Sequence, residues 1–309
     1  MINHKDKIYI VGAGAIGKVL AVLLKPANKN VIILRGSIDD QSSYTEKIQV
    51  ELYDKTTLEA EVEVSTLSHF TALHGIVVLT NKSYGNQHLS QVLSSKISNS
   101  PIVILQNGLG VEQAFIDHGF PEIYRCVLFA TSQTIGENKL RFKPVSVSPI
   151  GTIKGNSDRL NIIVEQLNSD NFQFKAETNI ETVIWKKAIV NSVFNSVCPL
   201  LEIDNGIFHR DEKTLAIAKR VIEECVAIAK ETGVFLNIDE VVESLLLISK
   251  FSDGQLISTF QDIKNKRETE IETLNFAIVN VAKKLNKEHM VTETKLLGEL
   301  IKLKSELTQ

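Results

Sequence analysis

Residues Lys7–Arg35, with the sequence KIYIVGAGAIGKVLAVLLKPANKNVIILR, decide the fold of this chain. The first part, Ile8–Val11, is a short apolar run rich in β-branched residues, which is typical of a strand buried on both faces. Gly12–Gly17 follows with the G-x-G-x-x-G spacing, and then comes an apolar stretch with helical periodicity. A polar turn and a second apolar run, Val31–Leu34, complete the pattern. The stretch therefore predicts a β-α-β unit, the context in which these glycines indicate a dinucleotide-binding turn.

The three glycines of this turn have different predicted roles. Gly12 allows the tight turn after the strand, Gly14 lets the backbone approach a pyrophosphate, and Gly17 lets the helix pack closely on the strand. The helix N-terminus adds free N–H groups and a positive dipole for the phosphates. The residues predicted to contact the cofactor here are Gly12, Ala13, Gly14, Ala15, Ile16 and Gly17. The alternative is a glycine-rich turn that binds nothing.

The residue at the end of the second strand distinguishes between the two nicotinamide cofactors. NAD sites usually place Asp or Glu there to bond the adenosine ribose, whereas this chain has Arg35. Because arginine suits a 2′-phosphate, the sequence favours NADP over NAD. Asp39 and Asp40 follow closely and make the distinction less sharp, and a solvated charge at the strand end is the other interpretation.

Length and composition describe a soluble globular chain of enzyme size. Its 309 residues favour two domains, with 43% hydrophobic and 23% charged residues. A net charge of −3 gives no electrostatic case for binding nucleic acid or an anionic membrane. The apolar runs fall short of the ~18 residues of a membrane-spanning helix.

The start of the chain and its cysteines bear on location and metal binding. The opening residues lack the apolar core of a signal peptide, and the three cysteines share no disulfide or metal spacing. The seven histidines form no zinc-type motif. We therefore expect a cytoplasmic protein without a metal site.

Two later strands are predicted to end at the same sheet edge as the glycine turn. Gly75–Thr80 leads into Lys82, and Pro101–Leu105 leads into Asn107. In open α/β sheets the ligand binds outside the carboxyl ends of the strands. Lys82 and Asn107 are therefore predicted to lie beside the nicotinamide half of the cofactor, although either residue alone is compatible with an ordinary loop.

The second part of the chain has a different pattern. Strand signals end near Phe172–Lys175, and from Glu181 onward apolar residues recur at helical spacing. The predicted fold is thus α/β, with an N-terminal Rossmann-type dinucleotide-binding domain (residues 1–178). An all-helical C-terminal domain (179–309), predicted to bind substrate and carry out catalysis, follows it.

The first helix of the second domain carries a polar stripe. Lys187, Asn191 and Asn195 fall at i, i+4 and i+8, which places them on one helical face. The stripe is either a solvated face or the lining of a wet cleft, and asparagine, a poor helix former, is tolerated where its amide has a partner. Farther on, Glu270 precedes apolar residues at helical spacing, which is equally compatible with an exposed charge at a helix start.

Taken in order, these motifs resemble the ketopantoate reductase (2-dehydropantoate 2-reductase) family over essentially the whole chain. The matching pieces are GAGAIG at Gly12–Gly17, Arg35, Lys82, QNG at Gln106–Gly108, W-x-K with two asparagines at Trp185–Asn195, Asn205-Gly206, and S-x-x-Q-D with T-E-I at Ser258–Ile271. The resemblance implies a Rossmann domain, a helical second domain and an active site in the cleft between them. It also implies NADPH-dependent reduction of 2-dehydropantoate to pantoate, on the route to pantothenate and coenzyme A.

The resemblance further implies roles for single residues. Lys187 is the proton donor to the ketone oxygen, where negative charge builds as hydride arrives, and Glu270 lies near the nicotinamide ribose in the catalytic site. Lys82 and Asn107 match cofactor-side groups. The implied substrate contacts are Asn191, Asn195, Asn205 and Ser258. The expected partner is a small 2-oxo acid; since helical second domains of such enzymes often form dimers, a homodimer stays open.

Two positions depart from the family pattern. Gly85 stands where the family often has glutamine, and Val291–Thr294 stands where it often has Pro-x-Asn. These departures leave the identity of the 2-oxo acid open. One alternative is an NAD(P)-dependent reductase of a different 2-oxo acid or a polyol phosphate. Another is a nonenzymatic dinucleotide sensor, against which the presence of Lys187 and Glu270 argues.

Overall fold

The computed structural model describes residues 7–36, 38–40 and 42–308. Within these ranges the chain divides into two compact units. The first consists of the chain up to Gln106 together with Val111–Ile180, and the second consists of Asn107–Gly110 together with the chain from Glu181 onward. The first unit holds the sheet and the second is helical, so the predicted fold class is confirmed.

The α/β unit contains the strands and four helices. Its strands are β1 (Lys7–Val11), β2 (Val31–Arg35), β3 (Tyr44–Glu51), β4 (Thr57–Thr66), β5 (Gly75–Leu79), β6 (Ile102–Ile104), β7 (Ile123–Cys126), β8 (Ala130–Gly136), β9 (Lys139–Pro144), β10 (Ser148–Lys154) and β11 (Phe174–Ala176). Its helices are α1 (Ala15–Leu24), α2 (Asn86–Ser94), α3 (Gln113–Asp117) and α4 (Leu160–Leu167).

The second unit is built from helices of very different length. They are α5 (Ile180–Leu201), α6 (Ile207–Arg210), α7 (Glu212–Glu231), α8 (Ile238–Phe251), α9 (Ser258–Lys264), α10 (Asn275–Lys284) and α11 (Thr292–Thr308). Among the helices described, none combines the length and the apolar character needed to cross a bilayer.

Strand β1 lies near the middle of the sheet. The described strands form one sheet in the order β11-β10-β7-β6-β5-β1-β2-β4-β3-β9-β8. β1 is parallel to β2 on one side and to β5 on the other, so that Ile10 pairs with both Ile33 and Val78. β5 is in turn parallel to β6. The chain therefore changes direction across the sheet between β1 and β5, where open α/β sheets bind their ligands.

The side chains of β1 alternate between two apolar clusters on the two faces of the sheet. Ile8 and Ile10 pack with residues of α1, whereas Tyr9 and Val11 pack with residues of α2 and α3. All four side chains are at most 3% exposed. Burying each such side chain contributes about 1.5–3 kcal/mol. The prediction of a strand buried on both faces is confirmed.

In the helical unit, Asp204 holds together the turn that follows α5. The guanidinium of Arg210 donates to Asp204 Oδ2 at 2.7 Å, while the N–H groups of Gly206 and Gly254 donate to Oδ1 at 2.8 and 3.1 Å. The Arg210 hydrogen bond, followed by those backbone N–H groups, holds the pKa of Asp204 well below its usual range. One carboxylate therefore fixes the backbone on either side of Asn205.

Replacing Asp204 with Asn removes this charged acceptor. We expect the free energy of unfolding at pH 7, measured by urea denaturation, to fall by about 2 kcal/mol. Because the folded-state pKa lies below the unfolded value of about 4, the advantage of the wild type is complete above that pH. It is lost as the pH falls toward the folded-state pKa. The difference between wild type and Asp204→Asn should therefore shrink in acid.

The matched control is Asp253→Asn, which removes the other carboxylate that pairs with Arg210. The Asp253 side chain is 47% exposed, so its loss should cost no more than about 1 kcal/mol. Equal losses for the two variants, or a pH-independent loss for Asp204→Asn, would contradict this account.

Candidate functional site

Two of the three glycines in the β1–α1 turn are required by the protein's own packing. Gly12 has φ +122°, and a Cβ there would lie 2.6 Å from the backbone N of Asn81. A Cβ on Gly17 would collide with the carbonyl oxygen of Gly12. The turn therefore lies so close to α1 and to the end of β5 that neither position has room for a side chain.

Gly14 is different from these two. Its backbone is extended at the N-cap of α1, with φ −77°, and a Cβ there would meet no atom of the described residues within 4 Å. Neither strain nor packing within that part of the chain explains a glycine here. The open space lies next to the helix N-terminus, which is where a pyrophosphate is predicted to approach.

Thr80 is a structural part of this turn that the sequence analysis missed. Its hydroxyl lies 3.2 Å from the carbonyl oxygen of Val11 and 3.1 Å from that of Gly12, and its N–H donates to Val11 at 2.9 Å. The hydroxyl also occupies the space that a Cβ on Gly17 would need. The only signal in the sequence is a hydroxyl residue directly after the apolar run of β5.

Arg35 ends β2 as predicted, but it is engaged by an acidic partner. Its guanidinium donates to both carboxylate oxygens of Asp40, at 2.6 and 3.3 Å, and to Ser42. The backbone N–H of Ser42, followed by Arg35, lowers the pKa of Asp40 to about 2. The Arg35 side chain is 13% exposed and lies 5.5 Å from the centre of the Tyr44 ring. A bound 2′-phosphate would therefore share Arg35 with Asp40 or replace that carboxylate.

Lys82 and Asn107 follow neighbouring strands. Lys82 is exposed and begins the short 3₁₀ turn after β5, and Asn107 is half-buried in the segment after β6. Between them, within the α/β unit, the side chain of Gln106 donates to the carbonyl of Asn81 at 2.9 Å. The two loops are thus tied together just before each predicted cofactor residue.

The polar stripe of α5 lies on a helix whose middle, from Ala188 onward, is mostly buried. Lys187 and Asn191 are half-buried and Asn195 is only 3% exposed, while Ile189 and Val193 are fully buried. The side-chain amide of Asn195 donates to the carbonyl of Asn191 at 2.8 Å. A fully solvated face, one of the two interpretations of the stripe, does not fit this burial.

Asn195 and Ser258 are brought together by the fold. The hydroxyl of Ser258 donates to Asn195 Oδ1 at 3.2 Å, and the N–H of Thr259 donates to the same oxygen at 3.3 Å. The Asn195 amide thus binds the first turn of α9 to α5. These hydrogen bonds show that Asn195 positions Ser258.

Asn205 has a buried polar atom without a partner. Its backbone is fixed, because its N–H donates to Gln255 at 2.9 Å and its carbonyl accepts from the hydroxyl of Ser249 at 2.7 Å. The residue is 6% exposed, and its Oδ1 has no hydrogen-bond partner in the part of the chain that the structure describes. Since buried polar atoms are normally satisfied, this oxygen is suited to accept from a ligand.

Glu270 is half-buried at the start of a 3₁₀ turn, Ile271–Thr273. Thr273 donates from both its N–H and its hydroxyl to the Glu270 carbonyl at 3.1 Å, and the N–H of Leu109 donates to the Thr273 carbonyl at 2.9 Å. A Cβ on Gly108 would lie 2.5 Å from that same carbonyl. The fold thus joins the loop of Asn107 to the turn of Glu270, which sequence spacing did not predict.

The described residues contain no group of three or more His, Cys, Asp or Glu side chains placed to hold a metal ion. The predicted site residues of the helical unit carry hydroxyl, amide, ammonium and carboxylate groups. Such a set suits a polar organic ligand.

Family models match both units of the chain. The model described as "Ketopantoate reductase PanE/ApbA" matches residues 8–151, and that described as "Ketopantoate reductase PanE/ApbA C terminal" matches residues 179–304. A curated relative, the 2-dehydropantoate 2-reductase of Pyrococcus abyssi (strain GE5 / Orsay), is 29% identical over 284 residues. That match covers 91% of this chain and 93% of the relative.

Solved structures share the fold over nearly the whole chain. A PanE/ApbA family ketopantoate reductase from Ralstonia eutropha JMP134 superposes with a TM-score of 0.83 at 22% identity, covering 98% of this chain and 99% of that one. A D-mandelate dehydrogenase, solved with NADH and anilino(oxo)acetate, gives a TM-score of 0.82 with the same identity and coverage.

The two family models together span most of the chain. The N-terminal model matches the α/β part and the C-terminal model matches the helical part, as the resemblance predicted. The chain therefore belongs to the ketopantoate reductase family, oxidoreductases with a Rossmann-like fold.

Proposed function

We propose that this protein reduces 2-dehydropantoate to pantoate with NADPH, on the route to pantothenate and coenzyme A, with Lys187 as the proton donor. The observation that carries the proposal is the half-buried pair Lys187 and Asn191, which lies next to the fully buried middle of α5. A lysine in such a place is partly shielded from water, and its ammonium can act on a bound carbonyl. Membership of the family supports a nicotinamide dinucleotide as the cofactor.

In this proposal, different residues of the helical unit carry out different parts of the reaction. A bound NADPH supplies the hydride that reduces the ketone carbon. The ammonium of Lys187 stabilises the negative charge that develops on the ketone oxygen and gives that oxygen its proton. Asn205 Oδ1 accepts from a substrate hydroxyl, and Asn191, Asn195 and Ser258 complete the polar lining. Glu270 is assigned to the ribose beside the nicotinamide.

The residues of the glycine turn fit a dinucleotide. Gly14 leaves open space beside the N-terminus of α1, and the first turn of that helix carries no acidic residue. The pyrophosphate therefore meets free N–H groups and a positive dipole. Arg35 is assigned to the 2′-phosphate, and Lys82 and Asn107 to the nicotinamide half. In this proposal residues 1–178 bind the cofactor and residues 179–309 bind the substrate.

A second candidate is reduction of a different 2-oxo acid. The sequence departures at Gly85 and Val291–Thr294 favour considering it, and D-mandelate dehydrogenase shows that the fold is compatible with another oxo acid. Steady-state assays with a panel of 2-oxo acids, using NADPH and NADH, separate the two candidates. We further propose that the protein is a cytoplasmic homodimer. Light scattering would measure its mass in solution.

Gly14→Val and Gly17→Val should have opposite effects. The Gly14 side chain would occupy the space for the pyrophosphate without touching the described protein, so NADPH binding should be lost while the melting temperature changes little. The Gly17 side chain would meet the Gly12 carbonyl, so that variant should be destabilised. Fluorescence titration and calorimetry measure the two effects. Normal NADPH affinity in a folded Gly14→Val variant would rule out the proposed phosphate site.

Arg35→Gln should weaken NADPH binding by about 10- to 100-fold and leave NADH binding unchanged, because only NADPH carries the 2′-phosphate. Asp40→Asn should do the reverse and strengthen NADPH binding, since it frees Arg35 from its carboxylate partner. The pKa of Asp40 is lowered to about 2, and the 2′-phosphate, with a second pKa of about 6, is fully ionised above pH 7, so this gain should be constant from about pH 7 to pH 9. Equal kcat/KM for the two cofactors in the wild type would contradict the preference for NADPH.

Lys187→Ala tests the proton donor. A lysine that only bound substrate would raise KM when removed, whereas one that acts in the transition state must lower kcat. We expect kcat with 2-dehydropantoate to fall by ~10²–10⁴-fold and NADPH binding to be retained.

The matched control is Lys186→Ala on the same helix. Lys186 points about 100° away from Lys187 and lies 3.8 Å from the carboxylate of Glu240. Its replacement should leave kcat nearly unchanged. If Lys186→Ala proved to be the inactive variant and Lys187→Ala the active one, the assignment of the proton donor would be wrong.

A further inference from the structure

The segment Asn107–Gly110 belongs to the helical unit, although the residues on both sides of it belong to the α/β unit. Gln106 precedes the segment directly after β6, and Val111 follows it just before α3. The chain therefore leaves the α/β unit for four residues and returns to it. The first of the four is Asn107, which we have assigned to the cofactor.

One buried side chain, Asn86 at the start of α2, holds both flanks of this segment. Its amide nitrogen donates to Gln106 Oε1 and to the Val111 carbonyl, each at 2.7 Å. Its Oδ1 accepts from Gln106 Nε2 at 2.8 Å and from Asn81 Nδ2 at 3.4 Å. Asn86 and Gln106 are 5% and 6% exposed. The two amides thus form a reciprocal pair shielded from water.

These contacts use the whole hydrogen-bonding capacity of the Asn86 amide, which has two N–H donors and two acceptor positions. Aspartate would keep the shape but lose both donors, and its charge would face Gln106 Oε1 and the Val111 carbonyl. Leucine would leave these buried groups without partners, which costs more than the net value of the hydrogen bonds. Only asparagine provides this pattern in this space.

Arg125 of β7 supports the same two flanks. The side chain is 2% exposed, and its guanidinium donates to the Gln106 carbonyl at 3.3 Å and pairs with the carboxylate of Glu112. Gln106 lies just before the segment, and Glu112 lies just after Val111. Two independent buried groups, Asn86 and Arg125, therefore fix the residues on either side of this short segment.

The middle of the segment contacts the turn of Glu270. The N–H of Leu109 donates to the Thr273 carbonyl, and Gly108 packs against Thr273 so closely that a side chain has no room. Thr273 in turn donates to the Glu270 carbonyl. The Leu109 N–H therefore reports on the order of the segment, because its hydrogen bond forms only when Asn107–Gly110 keeps this conformation.

We propose that Asn86 is a positioning residue of the enzyme. By holding Gln106 and Val111 together, it fixes both ends of the segment Asn107–Gly110, and so controls cofactor binding and turnover without touching cofactor or substrate. The proposal rests on the proposed function for its kinetic consequences. Its structural consequence, the order of the segment Asn107–Gly110, does not depend on that function.

The test compares Asn86→Asp with Ser90→Ala. Ser90 lies on the same helix and is fully buried, and its hydroxyl contacts Gln87 and His118 but not the segment. We expect Asn86→Asp to raise KM for NADPH at least tenfold and to lower kcat. Hydrogen exchange at the Leu109 N–H should become at least tenfold faster. Ser90→Ala removes a buried hydroxyl from the same helix and should leave all three quantities near their wild-type values.

Gln106→Met provides a second variant if Asn86→Asp does not fold, since it removes the amide pair while keeping the side-chain volume. Faster exchange at Leu109 in this variant supports the proposal. Unchanged exchange and unchanged KM in either folded variant overturn it, as does a loss of activity that only follows the fraction of folded protein. If the wild type failed to reduce 2-dehydropantoate with NADPH, the proposed function would fail, and exchange at Leu109 would still decide the role of Asn86.

Discussion

The end of β1 and the end of β5 lie in close contact, and the geometry of the α/β unit depends on this contact. The carbonyl of Val11 accepts from the N–H groups of Thr80 and Asn81, at 2.9 and 3.2 Å, while the Thr80 hydroxyl fills the space beside Gly12. Gly12 and Gly17 have no side chains, and this absence allows α1 to begin directly against the sheet. At the N-terminus of α1 stands Gly14, the glycine of this turn whose side-chain space holds no atom of the described residues.

Much of the fold was predictable because its determinants are local. The apolar runs of β1 and β2 and the glycine spacing between them lie within thirty residues, so hydrophobic pattern alone indicates the β-α-β unit. The helical character of the second unit follows from the same kind of periodicity. The order of the family motifs then indicated which residues to consider. The roles assigned to Lys187 and Glu270 remain predictions.

The rest could not be predicted, because it depends on contacts between residues distant in sequence. Nothing near Asn86 indicates that its amide meets Gln106 and Val111, and nothing near Glu270 indicates that Leu109 donates to its turn. The Arg35 side chain shows that even a contact between residues close in sequence can be unpredictable. Its acidic neighbour was visible in the sequence, but whether Asp40 opposes the arginine or turns away is a matter of loop geometry.

The turn around Asn205 has a consequence for how this protein ages. An asparagine followed by glycine loses its amide when the glycine backbone nitrogen attacks the asparagine side-chain carbonyl and closes a five-membered ring. Here the N–H of Gly206 is held by the Asp204 carboxylate, and Asn205 is buried with its backbone fixed on both sides. Ring closure requires the Gly206 nitrogen to lose its proton, and the hydrogen bond to the carboxylate disfavours that loss. The carboxylate that stabilises this turn is thus expected to slow the loss of the Asn205 amide as well.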